Sequence, residues 1–294
     1  MVISMIWFRK CNPYPALLYF TAVTVLSAVY NNPYHTAVSL AAGIVMFVMM
    51  DGRARVAAWF FSVFVLTFIV NPIVSKKGAT PVLFIGDDPV TLEAIVYGLN
   101  SAALITAVLF LFFCFTELLD SEKLLYLLSP LSSSAALTVS AVLRFAPLYA
   151  HQASLISDQQ KAAGTEGGKS IPEKIRFGGR VFSALSTWAL ENGIKTADSM
   201  ACRGYGTGRR SFYSFFGFRK SDGIFLMIQL ILIASTVVFS LLSSCTFQYY
   251  PNVEMPEINA FSLISALSFT ALTFSPIIAE ITDRIKWKYL TSKI

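Results

Sequence analysis

Long unbroken runs of apolar residues fill the first part of the chain and return near its end. They cover approximately positions 15–30, 34–50, 54–70, 90–116, 223–243 and 259–279. Most reach the roughly 17–25 residues that a helix needs to cross about 30 Å of hydrocarbon. The first is the shortest, and its helix is free to start earlier, near Cys11. The runs do not alternate: Leu104-Ile105-Thr106-Ala107-Val108-Leu109-Phe110-Leu111-Phe112-Phe113 is continuous. A closed β-barrel, which alternates lipid-facing and lumen-facing positions, is thereby excluded. The pattern predicts an all-α, polytopic membrane protein with about six transmembrane helices.

Between the fourth and fifth runs the pattern changes. Positions 122–150 are only semi-apolar and carry Arg144, which points to an interfacial helix or one packed under the bundle. Pro130 and Pro147 are expected to break or kink this stretch. Positions 151–163 are more polar and read as a helix ending at Gly164, a residue suited to close a helix. Pro172 opens a further helix that extends to Arg203, about 45 Å at 1.5 Å per residue. Phe177, Val181, Leu185 and Trp188 share one face of it, and Ile194, Ala197 and Ala201 another. The apolar face is expected to rotate, or the helix to kink, around Asn192-Gly193. Glycines then end it in Cys202-Arg203-Gly204-Tyr205-Gly206. The resulting organisation is an N-terminal membrane domain of four helices over 1–120, cytoplasmic or interfacial helices over 121–222, which the resemblance given below makes coupling helices, and two C-terminal membrane helices with a basic tail over 223–294.

Composition agrees with the pattern. The 294 residues are 55% hydrophobic and 14% charged, against about 25% charged in a soluble domain. A chain this apolar needs lipid on its outside. Charge placement then orients it. With the N-terminus inside, the outer loops are 31–33, 71–89 and 244–258, and only Lys76 and Lys77 of the 23 Lys and Arg lie outside. The positive-inside rule asks for this bias and puts both termini in the cytoplasm. Most of the basic residues need no role beyond facing anionic headgroups. No nucleic-acid recognition module is visible. Arg9 and Lys10 follow Val2–Phe8, and no small-residue cleavage site follows the first apolar run, so that run is expected to be a retained anchor.

Catalytic chemistry finds little purchase. The four cysteines, Cys11, Cys114, Cys202 and Cys245, are scattered and read as small buried hydrophobes, with no disulfide and no metal site expected. Glu93 and Glu117 lie near the ends of one apolar run and Asp51 at a loop, positions from which a carboxylate reaches the interface. The segment Ala163-Gly164-Thr165-Glu166-Gly167-Gly168-Lys169-Ser170 fits a relaxed phosphate-loop pattern. A polar helix precedes it where a buried strand is required, so nucleotide binding by this chain is rejected. No catalytic residues and no cofactor are expected. Arg203 has two readings: a cation at the negative end of its helix, worth about 0.3–1 kcal/mol, or an anchor docking into an acidic pocket on a partner.

The order of these features resembles a known family. Asn71-Pro72 with Gly78-Ala79-Thr80, then Thr91-Leu92-Glu93-Ala94 with Tyr97-Gly98, then Phe115-Thr116-Glu117, follow the family's third and fourth spans. Leu143-Arg144-Phe145-Ala146-Pro147 resembles its LRFxP stretch, and Ala197-Asp198-Ser199-Met200-Ala201-Cys202-Arg203-Gly204-Tyr205-Gly206 its second coupling motif, continued by Arg209, Arg210 and Tyr213. These resemble the transmembrane T component (EcfT, CbiQ-like) of energy-coupling factor importers, ABC-type uptake systems for vitamins and metal ions, over nearly the whole chain. The resemblance implies a non-catalytic scaffold in the cytoplasmic membrane. Its partners would be two cytoplasmic ABC-type ATPase subunits and a membrane S component that binds substrate. Cys202, Arg203 and Gly204 would form one ATPase contact. The matching first motif is Ala162-Ala163-Gly164, where the family usually has Arg in the place of Ala163. Lys161 substitutes for it, or the facing groove is less acidic, or that tip relies on backbone and apolar packing. The alternative is a stand-alone secondary transporter or channel; an intramembrane enzyme is more distant, for want of paired catalytic residues.

Overall fold

The computed structural model describes residues 11–50, 52–75, 78, 80–85, 88–128, 133–164, 170–208, 217–243, 247–250 and 259–291. Lys76, Lys77, Pro130, Arg209, Arg210, Tyr213, Cys245 and most of the phosphate-loop look-alike lie outside them. The helices are α1 (Pro13–Tyr30), α2 (Pro33–Met49), α3 (Ala54–Val74), α4 (Leu92–Leu118), α5 (Ser121–Leu128), α6 (Ser133–Ala162), α7 (Ile171–Cys202), α8 (Lys220–Ser243) and α9 (Ala260–Thr291). Five of them, α1, α3, α4, α8 and α9, are long and apolar enough to cross a membrane. The shorter α2, with 17 residues, spans about 25 Å. The chain is a multi-pass, all-α membrane protein.

Local chemistry starts these helices. Asn12-Pro13-Tyr14 and Asn32-Pro33-Tyr34 open α1 and α2 in the same way: the Asn Oδ1 accepts from the Tyr N–H at 3.2 Å, and Pro occupies the first turn, where its missing N–H costs nothing. Asn31, at φ 41°, makes the tight reversal between them. Its side-chain oxygen accepts from Asn100 Nδ2 at 2.8 Å and its backbone carbonyl from Tyr249 Oη at 2.9 Å.

Contacts divide the chain into two units, Met1–Lys123 with Phe216–Ile294, and Leu124–Phe215. In the first, small residues let helices approach closely, as lipid-embedded packing favours. Ala42, Ala102 and Ala107 are almost wholly buried, and a Cβ on Gly43 of α2 would sit 3.1 Å from Phe110 Cβ of α4. Tyr19 of α1 donates to the Thr273 carbonyl of α9 at 2.8 Å. Thr236 of α8 and Ser268 of α9 share a hydroxyl–hydroxyl bond of 3.0 Å, and Ser265 donates to the Thr236 carbonyl at 3.2 Å.

The predicted outer loop 71–89 is more ordered than its sequence suggested. Helix α3 runs on through Asn71-Pro72, and Pro81–Ile85 pairs antiparallel with Asp88–Thr91 in a short hairpin. Glu93 does not reach the interface as expected. It is 3% exposed, and its carboxylate accepts from the Thr80 hydroxyl at 2.8 Å and the Thr80 N–H at 3.4 Å. Thr91, which caps α4 by accepting from the Ala94 N–H, lies beside it. Gly78 closes over this pair at φ 143°; a Cβ there would strike the Thr91 hydroxyl and sit 2.7 Å from Glu93 Oε2. Gly78→Ala is therefore expected to destabilise the chain by about 1–3 kcal/mol. Thermal unfolding in detergent should show this as a lower midpoint; an unchanged midpoint would mean that the segment is not clamped.

At the other end of this unit, Asp222 in the first turn of α8 is buried. Its carboxylate accepts from the Arg219 N–H at 3.3 Å and from the Cys11 thiol at 3.3 Å. Burial, and then the Asp222 charge, push the Cys11 thiol up to about 12, so it stays neutral. Lys123, buried at the start of α5, donates to the Leu118 carbonyl at 3.0 Å. These groups sit where the chain leaves the membrane unit and re-enters it.

In the second unit, α6 is continuous from Ser133 to Ala162, and Pro147 does not break it. One lost backbone bond does not end a ladder of this length, and Pro72 and Pro276 are likewise carried inside α3 and α9. Helix α7 is also continuous through Asn192-Gly193. Phe177, Val181, Leu185 and Trp188 are half-buried, and beyond them the half-buried face turns through Asn192, Thr196 and Met200. Tyr149 of α6 meets Trp188 of α7 edge to face, with ring centroids 5.7 Å apart. Ile194, Ala197 and Ala201 instead remain exposed.

Candidate coupling site at two helix tips

Helices α6 and α7 end in the same way. At the end of α6 the Ala163 N–H bonds to the Gln159 carbonyl at 3.0 Å and the Gly164 N–H to the Lys161 carbonyl at 2.9 Å. Gly164 has φ 72°, a left-handed conformation that costs glycine nothing. At the end of α7 the Tyr205 N–H reaches back to the Met200 carbonyl and the Gly204 N–H to the Ala201 carbonyl, both at 3.0 Å. With Gly204 at φ 81° this is a Schellman closure. A second tight turn follows, in which the Thr207 hydroxyl donates to the Gly204 carbonyl at 2.7 Å.

These closures leave the tip side chains in solvent. Ala162, Ala163 and Gly164 are exposed, as are Cys202, Arg203, Gly204 and Tyr205. Cys202 is thus not the small buried hydrophobe expected of it; Cys11 and Cys114 are buried. Among the described residues no carboxylate forms an ion pair with Arg203. Its guanidinium stands at the negative end of the α7 dipole with its five donors available. Lys161, by contrast, pairs with Asp158 at 3.0 Å on the open surface. Such exposed pairs are worth at most about 1 kcal/mol, so a partner's carboxylate can draw the ammonium away. On α7, the Lys195 ammonium hydrogen-bonds Glu191 at 2.7 Å and holds that carboxyl below its usual range.

Each tip stands about 20 Å along its own helix beyond the Tyr149–Trp188 contact. The structure does not gather the six tip residues into one pocket; it presents them as two separate knobs on a shared pair of packed helices. Such knobs can bind, and a helix as stiff as α7 can carry a displacement. The sequence alone had missed the second turn at Gly204–Thr207, although Gly204-Tyr205-Gly206 is its signature. It had also missed the buried Cys11–Asp222 contact, which no local pattern announces.

Comparison with known proteins agrees with this architecture. No curated protein sequence matches the chain. A family model described as CbiQ, cobalt transport protein, matches residues 5–214, a stretch that begins before α1 and runs past both helix tips. The chain belongs to the CbiQ cobalt transport family, the EcfT/CbiQ-like transmembrane component of energy-coupling factor transporters.

Proposed function

We propose that this chain is the coupling scaffold of an ATP-driven importer in the cytoplasmic membrane, with both termini on the cytoplasmic side. Two ABC-type ATPase subunits receive the two helix tips, and a separate S component in the membrane binds the substrate. The observation that carries this reading is the matched pair of exposed tips, Ala162-Ala163-Gly164 and Cys202-Arg203-Gly204, each closed by a left-handed glycine. A left-handed glycine ends a helix abruptly and leaves its last side chains pointing outward, the shape a groove on a partner accepts.

The mechanism follows from stiffness. Closure of the ATPases on ATP moves the grooves, and the grooves move the tips. Helices α6 and α7 are 30 and 32 residues long without a break, so they transmit the motion as rods. Their mutual packing at Tyr149 and Trp188 couples the two. The exposed apolar positions of α7, among them Phe182, Leu190 and Ile194, offer the S component a surface on which that motion acts. The two tips work differently. The α7 tip anchors through the Arg203 charge. The α6 tip, with Ala163 where the family carries arginine, relies on shape, with Lys161 close by.

Substrate choice falls to the S component. Among the described residues no group of three or more His, Cys, Asp or Glu is placed to hold a metal ion. The family description points to cobalt as a cargo, and vitamins are the other class such importers take. Affinity purification of the tagged chain in mild detergent is expected to recover two phosphate-loop ATPases and one small hydrophobic protein. Recovery of the chain without any ATPase, from cells that express its partners, would refute the reading.

A further inference from the structure

The membrane unit contains a cavity of about 290 Å³ at the end away from Lys123 and Asp222. It lies where α1 ends, α2 begins, α8 ends and α9 begins. His35 lines it, is 6% exposed, and has no hydrogen-bond partner on either ring nitrogen. Aromatic rings pack against the imidazole: Phe269 lies 4.5 Å away between centroids, and Tyr30 and Tyr34 at 5.7 and 5.8 Å. A buried imidazole with two unused polar atoms costs free energy that an occupant would recover.

We infer that this cavity seats a diacyl glycerophospholipid, whose ester carbonyl accepts a hydrogen bond from the His35 imidazole. Four observations select that occupant. The site lies within about two turns of four helix ends, and it is lined by Tyr30 and Tyr34, a residue type at home in the glycerol and headgroup region of a bilayer. Among the described residues no Lys, Arg, Asp or Glu lines it, which suits a neutral ester better than a metal cation. Leu263 and Leu267 line it and are largely exposed, so an acyl chain can leave along a lipid-facing surface. The volume lies at the bottom of the range for sites that bury a drug-sized ligand, about 300–1,000 Å³, and so matches one segment of a lipid. Neutral imidazole has one N–H and one bare nitrogen. The N–H goes to the ester carbonyl, and the bare nitrogen accepts from a headgroup hydroxyl or a water that enters with it.

The test uses the full chain, delipidated in mild detergent and titrated with diacyl phosphatidylglycerol or with its dialkyl ether analogue, which lacks the carbonyl. Native mass spectrometry reads the bound fraction. The wild-type chain should retain one lipid and prefer the diacyl form by about three- to tenfold, the value of one hydrogen bond. His35→Phe, which keeps the aromatic packing, should erase the preference. Ala266→Phe, which fills the cavity, should abolish binding of both lipids. Equal retention of the two lipids by the wild-type chain, or retention that survives both substitutions, overturns the inference. So does release of a soluble solute or a partner protein in place of lipid. Should His35→Phe fail to fold, the ester-against-ether comparison on the wild-type chain decides alone.

Discussion

Replacing Arg203 by glutamate is expected to weaken assembly with the proposed ATPase partners at least about thirtyfold. Truncating one member of a buried, hydrogen-bonded charge pair across an interface costs about 2–5 kcal/mol, and reversal adds like-charge repulsion. The effect should not come from misfolding. Arg203 is exposed, φ at this position is −83°, and the bonds that close α7 are made by its backbone and by Gly204 and Tyr205. Glutamate at a helix C-terminus also opposes the dipole, by about 0.3–1 kcal/mol. Arg203→Gln removes the charge without reversing it and so separates the two contributions. Arg203→Lys should fall between wild type and glutamine, because a lysine keeps the charge and loses the two-pronged geometry. Co-purification, or a titration of the purified ATPases against the detergent-solubilised chain, gives the measurement. Assembly that tolerates the glutamate would remove Arg203 from the interface and leave its role as a helix-end cation.

The purified chain in liposomes is expected to move no cobalt or vitamin, with or without a membrane potential or ion gradient. With the two ATPases and an S component added, uptake should appear and should require ATP. The difference is all or none, since the chain is proposed to carry motion and not cargo. Uptake by the chain alone would refute the scaffold and restore the stand-alone transporter. Arg203→Glu in the complete system links the two experiments. Uptake should fall with assembly, whereas a chain whose transport did not depend on ATPases would be indifferent to a charge on the tip of α7.

Much of the architecture was legible because the bilayer imposes its length on the chain. The runs 34–50, 90–116 and 223–243 became α2, α4 and α8 with ends displaced by a few residues. The helix ends were legible where glycine chemistry decided them: Gly164 and Gly204 take the left-handed conformation that their positions suggested. The family was legible from the order of several short motifs, and the family match over residues 5–214 agrees. Of the two outcomes expected at Pro147, a break does not occur, since one missing donor does not end a helix of 30 residues. Apolar spacing misled on α7: Ile194, Ala197 and Ala201 suggested a second packed face, yet within the chain the packed stripe runs through Asn192, Thr196 and Met200.

By itself, then, the sequence determined that the chain is helical, that it lives in a membrane, and where α6 and α7 end, because hydropathy and glycine φ preference are properties each residue carries wherever it goes. Burial and partnership are not. That Glu93 is clamped by Thr80 under Gly78, that Cys11 meets Asp222 from 211 positions away, and that His35 faces a cavity with no partner were decided only when distant helices came together. Each depends on which residues are brought alongside, and that is settled by the packing of whole helices.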